Sequence, residues 1–360
     1  MSSTSGEQSV LILGSGVAAS CARVLLNRSS IHTVLSSGGR SSVPAIMLGD
    51  ATQRLLTDVF PGLDLFGKCW PIRKRTVAWG RRPPLTLPHS AVVTSEQDLL
   101  CCLAAGDDRQ PDGTDNQTPD WTIHTTASPG VRDTMQVFGS RIASAARVRL
   151  GDQADPHGCV VVSLEEGWLF LVPTCETHGW LLCVGPPVVD GLSQPSLMQD
   201  HVAEVEVEGG TFPCHPRIAD PLVGSDWLAC GSAALGFDPL CGEGAGNAVR
   251  EAILAAAVIG YILNSKSDDA LRHYQLRLWA GFHRHLNACS EFYGSGGSGL
   301  WWDRERSELK RGLAWLSNRV GPDTSSRFRL NGFSLEEHQA VSFTSGSISN
   351  SEAQSKPDIA

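Results

Sequence analysis

The sequence predicts an α/β fold with a Rossmann-like part on a parallel sheet, an inserted and mostly antiparallel β-sheet part, and C-terminal helices. Three observations carry this expectation. Near the start, the apolar run Val10-Leu11-Ile12-Leu13 feeds the turn Gly14-Ser15-Gly16-Val17-Ala18-Ala19 and then a helix-like stretch. In the middle, short apolar runs recur between turn signals, as in "GCVVVSLEEGWLFLVP" and "GWLLCVGPP". Far downstream, Gly231-Ser232 closes another strand-like run, and Gly242, Gly244 and Gly246 open the longest apolar helix pattern of the chain.

Each element follows from its pattern. A continuous apolar run suits a parallel strand buried on both faces. Residues 17–26 have helical periodicity with small residues on one side, and residues 31–37 form a second strand, which makes a βαβ unit. Residues 47–59 read as a helix, "KRTVAWG" and "LTLPHSAVV" as strands, and residues 95–106 as a helix capped by Ser95. "DWTIHTT" is grouped with the antiparallel pieces that follow it. Glu243 to Leu263 is a long buried helix, and "DDALRHYQLRLWAGFHRHLNACSEFYG" is an amphipathic one. The expected division is residues 1–8 as a disordered N-terminus and 9–150 as the nucleotide-binding part with a polar surface loop at 107–120. The antiparallel substrate part follows at 151–225, the second binding segment with the C-terminal helices at 226–325, and a flexible tail at 340–360.

Composition sets limits. The 360 residues are 41% hydrophobic and 19% charged, as in a soluble globular protein. A net charge of -9 leaves no basic field for nucleic acid or an anionic membrane. The apolar run 252–263 is too short to span a bilayer, no signal peptide is apparent, and a cytoplasmic location is expected. The 11 cysteines have no C-x-x-C spacing, so reduced thiols are expected and no metal site. His283 and His285, two apart on a helix, point in different directions and make a poor metal pair.

The first glycine segment has a specific physics. Gly14 permits the tight turn, Gly16 lets a pyrophosphate approach the backbone, and Ala19 lets the helix pack close to the sheet. The helix N-terminus then offers unpaired N–H groups to phosphates. At the end of the second strand, about 20 residues on, a carboxylate usually holds the ribose. Ser36 or Ser37 stands there in this chain. In the second segment Pro239 fixes the approach to the turn, and the glycines allow close backbone contact at another helix N-terminus.

"GSAALGFDPLCGEGAGNAVREA" resembles the GDAA-x-x-x-DP-x-x-G-x-G segment of FAD-dependent monooxygenases, especially those grouped with the tryptophan halogenases. "MLGDATQRLL", "VTSEQDLLCCL" near Glu96 (without the family's arginine), "GWLFLVP" and "YGSGGSGLWWDRER" resemble further parts of that family, so the likeness covers about residues 9 to 310. The resemblance implies FAD as cofactor. Gly14, Ser15, Gly16, Val17, Ala18, Ala19 and Ser36 would meet its dinucleotide end. Gly231 and Ser232, the latter where the family has aspartate, would meet the ribityl chain, and Asp238, Pro239, Gly242 and Gly244 would cover the isoalloxazine ring.

The resemblance also implies oxidoreductase chemistry: hydroxylation of an indole or phenol through a flavin C4a-hydroperoxide. No protein acid or base is required, and no catalytic residue is named. Trp168, Phe170, Phe237, Trp301 and Trp302 are candidates for an aromatic substrate lining, and Cys241 beside the flavin loop reads as a small core residue. Halogenation ranks lower. The family's W-x-W-x-I-P motif stands here as Trp168-Leu169-Phe170-Leu171-Val172-Pro173, and Lys68 and Lys74 read as surface charges. The chain length and a Gly/Ser-rich rim at 294–299 point to the short members that oxidise a tryptophan within a partner protein. The expected partners are therefore an aromatic small molecule or a peptidyl tryptophan, with flavin reduction either in cis or by a separate flavin reductase. An FAD-dependent reductase of prenyl double bonds and a non-catalytic flavoprotein-fold binding partner remain alternatives; an apolar tunnel would mark the first and a colourless protein the second.

Overall fold

The computed structural model describes residues 8–36, 38, 42–105, 118–127, 131, 133–242, 244–265, 267–320 and 327–337. The expectations for the first seven residues, for Ser37, for the 107–120 loop up to residue 117 and for the 340–360 tail fall outside the described residues.

The chain opens with β1 (Ser9–Leu13), α1 (Val17–Arg28) and β2 (His32–Ser36). There follow β3 (Ile46–Gly49), α2 (Asp50–Val59), β4 (Trp70–Ala78), β5 (Leu85–Thr94) and α3 (Glu96–Ala104). The middle holds β6 (Trp121–His124), β7 (Met135–Val137), β8 (Ile142–Leu150), β9 (Gly158–Ser163), β10 (Trp168–Pro173) and β11 (His178–Val184). Two short helices, α4 (Val188–Ser193) and α5 (Met198–His201), lead to β12 (Val202–Pro213), β13 (Arg217–Ala219), β14 (Trp227–Ala229) and β15 (Leu235–Gly236). The C-terminal part is α6 (Gly244–Ser265), α7 (Asp269–Gly296), α8 (Leu300–Ser317) and the hairpin β16 (Phe328–Asn331) with β17 (Ser334–Glu337).

A four-stranded sheet in the order β14-β6-β1-β2 is parallel throughout, with Val10 beside both Thr33 and Trp121. "DWTIHTT" therefore belongs here, not with the antiparallel strands. Its parallel neighbours lie over 100 residues away in sequence on both sides, so no hairpin signal could place it. The larger sheet runs β12-β8-β11-β10-β9-β4-β5-β3 and is antiparallel except where β4 lies along β9. It draws β3, β4 and β5 from before residue 100, so its strands fall on both sides of the expected boundary at 150. Met47 to Gly49 ends a strand of this sheet, and the helix expected from residue 47 begins at Asp50.

Helix α6 lies inside the molecule against α1. Small residues on both sides, Ala18, Ala19 and Ala22 on α1 and the Ala255-Ala256-Ala257 run on α6, let the backbones approach. This is the one helix among the described residues long and apolar enough to cross a membrane, and most of its apolar stretch is packed in the core. It outruns the 252–263 run, beginning at Gly244 with a less apolar first two turns in which Ala245 and Ala248 favour the helix.

Candidate functional site

The first glycine turn stands at the C-terminal edge of the parallel sheet. Gly14 has φ +122° and Gly16, the residue capping α1, has φ +97°, a region that L side chains avoid. The strands on either side hold the turn: the Gly14 N–H donates to Ser36 O at 2.9 Å and the Thr125 N–H to Leu13 O at 2.8 Å. Thr126 Oγ1 accepts from the Ser15 N–H at 3.4 Å. A methyl group on Gly14 would come within 2.5 Å of Thr125 Oγ1 and 2.7 Å of the Thr126 nitrogen. No side chain caps α1, so its N-terminus is open to an anion. Val17, Ala18 and Ala19 are buried and position the turn through packing, while Ser36 is exposed at the end of β2.

The second segment meets the first. Gly231 has φ +58°, and a Cβ there would lie 2.9 Å from the Ala18 Cβ. Ser232 Oγ donates to Thr125 O at 3.1 Å, so Thr125 is shared by both segments. The Gly231 N–H donates to Glu251 Oε2 at 2.8 Å. Burial pushes that carboxyl up to about 8. Further on, Asp238 Oδ1 accepts from the Leu240 N–H at 2.9 Å and starts the 3-10 turn of Pro239. Gly242 is left-handed at φ +64° and leads into α6, where a Cβ on Gly244 would meet nothing within 4 Å. Across from Gly242 stand Met47 and the Arg75 guanidinium. The Cys241 side chain lies outside what is described.

Asp238 is turned inward. Its Oδ2 receives Arg141 at 2.6 Å and the Tyr293 hydroxyl at 2.7 Å, and Tyr293 in turn accepts from Trp168 Nε1 at 3.0 Å. Arg141 Nε also lies 3.1 Å from Glu305, an ion-pair contact off hydrogen-bond geometry. All these side chains are buried. Burial opposes the Arg141 charge, yet Tyr293, Asp238 and Glu305 outweigh it and hold its pKa above the usual value. The Asp238 N–H donates to His285 Nε2 at 2.9 Å, which fixes the tautomer with the proton on Nδ1. The carboxylate thus shapes the turn, and the backbone of the turn is what faces outward from this network.

Of the five aromatic candidates, Phe237 alone lines a cavity of about 870 Å³ along α6 and α7. Its ring meets His285 edge-on at 4.9 Å. Trp168, Trp301 and Trp302 form one buried cluster with Tyr293, and Trp302 Nε1 donates to Glu165 O at 2.9 Å. Phe170 is buried under Arg75, whose guanidinium lies 5.6 Å from the ring centre. The expected Gly/Ser rim is also packed in part: a Cβ on Gly296 or Gly297 would overlap the Trp302 indole. Lys68 is exposed, Lys74 pairs at 2.6 Å with Asp155 at the surface, and His283 contacts Asn287 on an outer face of α7. Among the described residues no group of three His, Cys, Asp or Glu could hold a metal.

The sequence reading missed Thr125, Arg141, Glu251, Tyr293, Arg75 and Glu305. Only the paired threonines at the end of "DWTIHTT" carry a local signal, a polar step after a buried strand.

No protein-family model and no curated protein matches the sequence. Solved structures match its shape. The flavin-dependent halogenase CmlS superposes with a TM-score of 0.70 at 17% identity, covering 88% of this chain and 71% of that one. The peptidyl tryptophan dihydroxylase QhpG, described as essential for tryptophylquinone cofactor biogenesis, gives 0.69 at 18% identity, over 92% of this chain and 86% of that one. PqsL from Pseudomonas aeruginosa, a probable FAD-dependent monooxygenase, gives 0.62 at 13% identity, over 86% and 99%. With two glycine segments meeting at Thr125 on the edge of a parallel sheet and a second, mostly antiparallel sheet, the chain has the fold of the flavin-dependent halogenases and FAD-dependent monooxygenases.

Proposed function

We propose that the protein is an FAD-dependent oxidoreductase, a monooxygenase that hydroxylates an aromatic substrate. The observation that carries this is the meeting of two distant glycine segments, Gly14–Ala19 and Gly231–Ser232, on one edge of the parallel sheet. The residues fit the cofactor. The uncapped start of α1 suits the pyrophosphate, Ser36 and Ser232 offer hydroxyls to the sugar and ribityl parts, and the start of α6 with Arg75 across from it suits a ring that gains negative charge. When bound, reduced FAD supplies the oxygen activation and electron transfer.

The chain's own residues then have three tasks. Gly14 and Gly16 hold α1 so that its N–H groups converge on one point. Asp238, clamped by Arg141 and Tyr293, fixes the Pro239–Gly242 turn without presenting its own charge to the ring. Phe237 and Leu240 give the cavity an apolar end beside that turn, where an aromatic ring could sit. A peptidyl tryptophan, the substrate named for QhpG, is the finer reading of the aromatic substrate, with electrons delivered by a separate flavin reductase.

Halogenation is the second reading, supported by the likeness to CmlS. Against it, Lys68 and Lys74, the candidates for the lysine with which halogenases handle hypohalous acid, stand at the surface and neither lines the cavity. The test is direct. Purified protein titrated with FAD should acquire a bound flavin spectrum. After reduction under air it should consume oxygen faster with an indole or phenol present and yield a product heavier by one oxygen. A chlorinated or brominated product in halide buffer would establish the second reading instead, and a protein that never binds flavin would end both.

A further inference from the structure

The 870 Å³ cavity is a groove, and its charge is opposite to that of the protein. Helix α6 lines it with Asn247, Arg250, Glu251 and Leu254, spaced as one helical face. Helix α7 lines it from His273 to Phe292, which at ~1.5 Å per residue is a length of about 28 Å. One end reaches Arg75, Phe237 and Leu240 beside the Asp238 turn, and the other reaches the β16–β17 hairpin. Five guanidinium groups line it: Arg75, Arg250, Arg277, Arg284 and Arg329. The lining has one carboxyl, Glu251, which receives the Gly231 N–H and is pushed up to about 8 by burial. Burial and then Arg277 push His273 down to about 4. A chain of net charge -9 thus gathers five fixed positive charges around one groove.

The arrangement of the charges is informative. Arg277 and Arg284 are two turns apart on one face of α7, ~10.5 Å along the axis, and both are exposed. Arg329 and Arg75 stand near opposite ends of the groove. Charges spread in this way do not converge on the single acid group of a compact molecule. They match carboxylates repeated along an extended chain, whose same-face side chains recur every second residue, ~7 Å, a spacing that the long arginine side chains can meet. Between the arginines the floor is apolar, with Leu254 and Leu278, and Gly281 and Ala288 leave room for a backbone to approach. Such a floor suits side chains better than a sugar-phosphate backbone.

We propose that this groove binds an acidic peptide segment in extended form, about eight residues long by the groove's length, and delivers an aromatic side chain of it to the end beside Phe237 and Leu240. The delivery rests on the reading of the chain as a flavin-dependent oxidoreductase of aromatic groups; the peptide binding does not.

The test uses the full-length protein and a fluorescent nine-residue peptide with alternating glutamates and a central tryptophan, followed by anisotropy at low salt. The expected result is at least tenfold tighter binding than for the same peptide with glutamine at each glutamate, with affinity falling as salt rises. Arg277→Glu with Arg284→Glu should weaken binding at least tenfold, while Arg81→Glu, exposed and away from the groove lining, should leave it unchanged. Equal binding of the glutamine peptide, an unaffected double variant, tighter binding of a thymidine oligonucleotide, or full displacement by an equimolar free aromatic acid would each overturn the proposal. The two readings fail separately. A protein that binds the peptide but no FAD loses the flavin function and keeps the groove, whereas one that oxidises free indoles and ignores the peptide does the reverse.

Discussion

Glu251 and Cys175 are two side chains whose ordinary chemistry the fold has changed in opposite directions. The Glu251 carboxyl is buried against Gly231, and its pKa stands at about 8. A carboxyl raised above its unfolded value favours the folded state fully below about pH 4.5, and that advantage is lost as pH rises through about 8. Glu251→Gln removes this dependence. The variant should melt close to the natural protein at about pH 4 and above it at about pH 9; a natural protein that still melts higher at the alkaline pH would show that the carboxyl is not held protonated. Cys175 lies at the β10–β11 turn, with Sγ 3.8 Å from Thr177 Oγ1 and 3.9 Å from His178 Nδ1, while His178 Nε2 contacts Glu206 at 2.8 Å. Partial burial raises its pKa, but the hydrogen bonds from Thr177 and His178 outweigh burial and the net shift is downward. Near neutral pH, iodoacetamide followed by peptide mass mapping should label Cys175 ahead of the more exposed Cys101, and His178→Gln should slow Cys175 alone.

At the scale of elements, the Asp238 turn separates what the sequence discloses from what it conceals. Both glycine turns were legible, because a strand, a tight turn and a helix start are local and need particular residues in order. The role of Asp238 was not. The residue was expected over a ligand, yet its carboxylate faces the core, held by Arg141 at 97 residues' separation and Tyr293 at 55. Arg141, one of two arginines in "GSRIASAARV", announces nothing until β8 is placed beside the turn. The same holds for Trp168 and Trp302, which read as an aromatic lining but close the core around Tyr293, since a buried tryptophan and a ligand-facing one have the same local sequence. Strand β6 was misassigned for a related reason: four residues carry no sign of which distant strands flank them. Asp238→Asn tests the clamp. It leaves Arg141 with Glu305 as its remaining carboxylate partner and should lower stability by about 3 kcal/mol or more, as breaking a buried pair does. Chemical denaturation reads the loss, and a change under about 1 kcal/mol would show that the turn holds its shape without the pair.

For the molecule as a whole, the proposed function requires the two glycine segments to act as two half-sites joined by one long ligand. Gly231 packs on Ala18 and Ser232 on Thr125, so the dinucleotide edge and the start of the second segment are one rigid unit. Gly242 and Gly244 lie beyond the Asp238 turn, against Met47 and Arg75 of the other sheet. A ligand bound across both should tie the parallel-sheet part to the large sheet and stabilise more than either fragment does. Any ligand specific for the folded state adds RT ln(1 + [L]/Kd), about 2.7 kcal/mol at a hundredfold excess over Kd. FAD should therefore raise the melting temperature more than ADP and FMN at matched concentration, and more than their two separate shifts added. Gly16→Val should remove the ADP shift and most of the FAD shift, because a side chain there occupies the approach to the α1 N-terminus. Gly242→Ala, strained at φ +64°, should leave the ADP shift intact while reducing the FAD shift toward it. Should Gly242→Ala abolish the ADP shift as well, the two segments would not be separate half-sites, and the second would serve only to support the first.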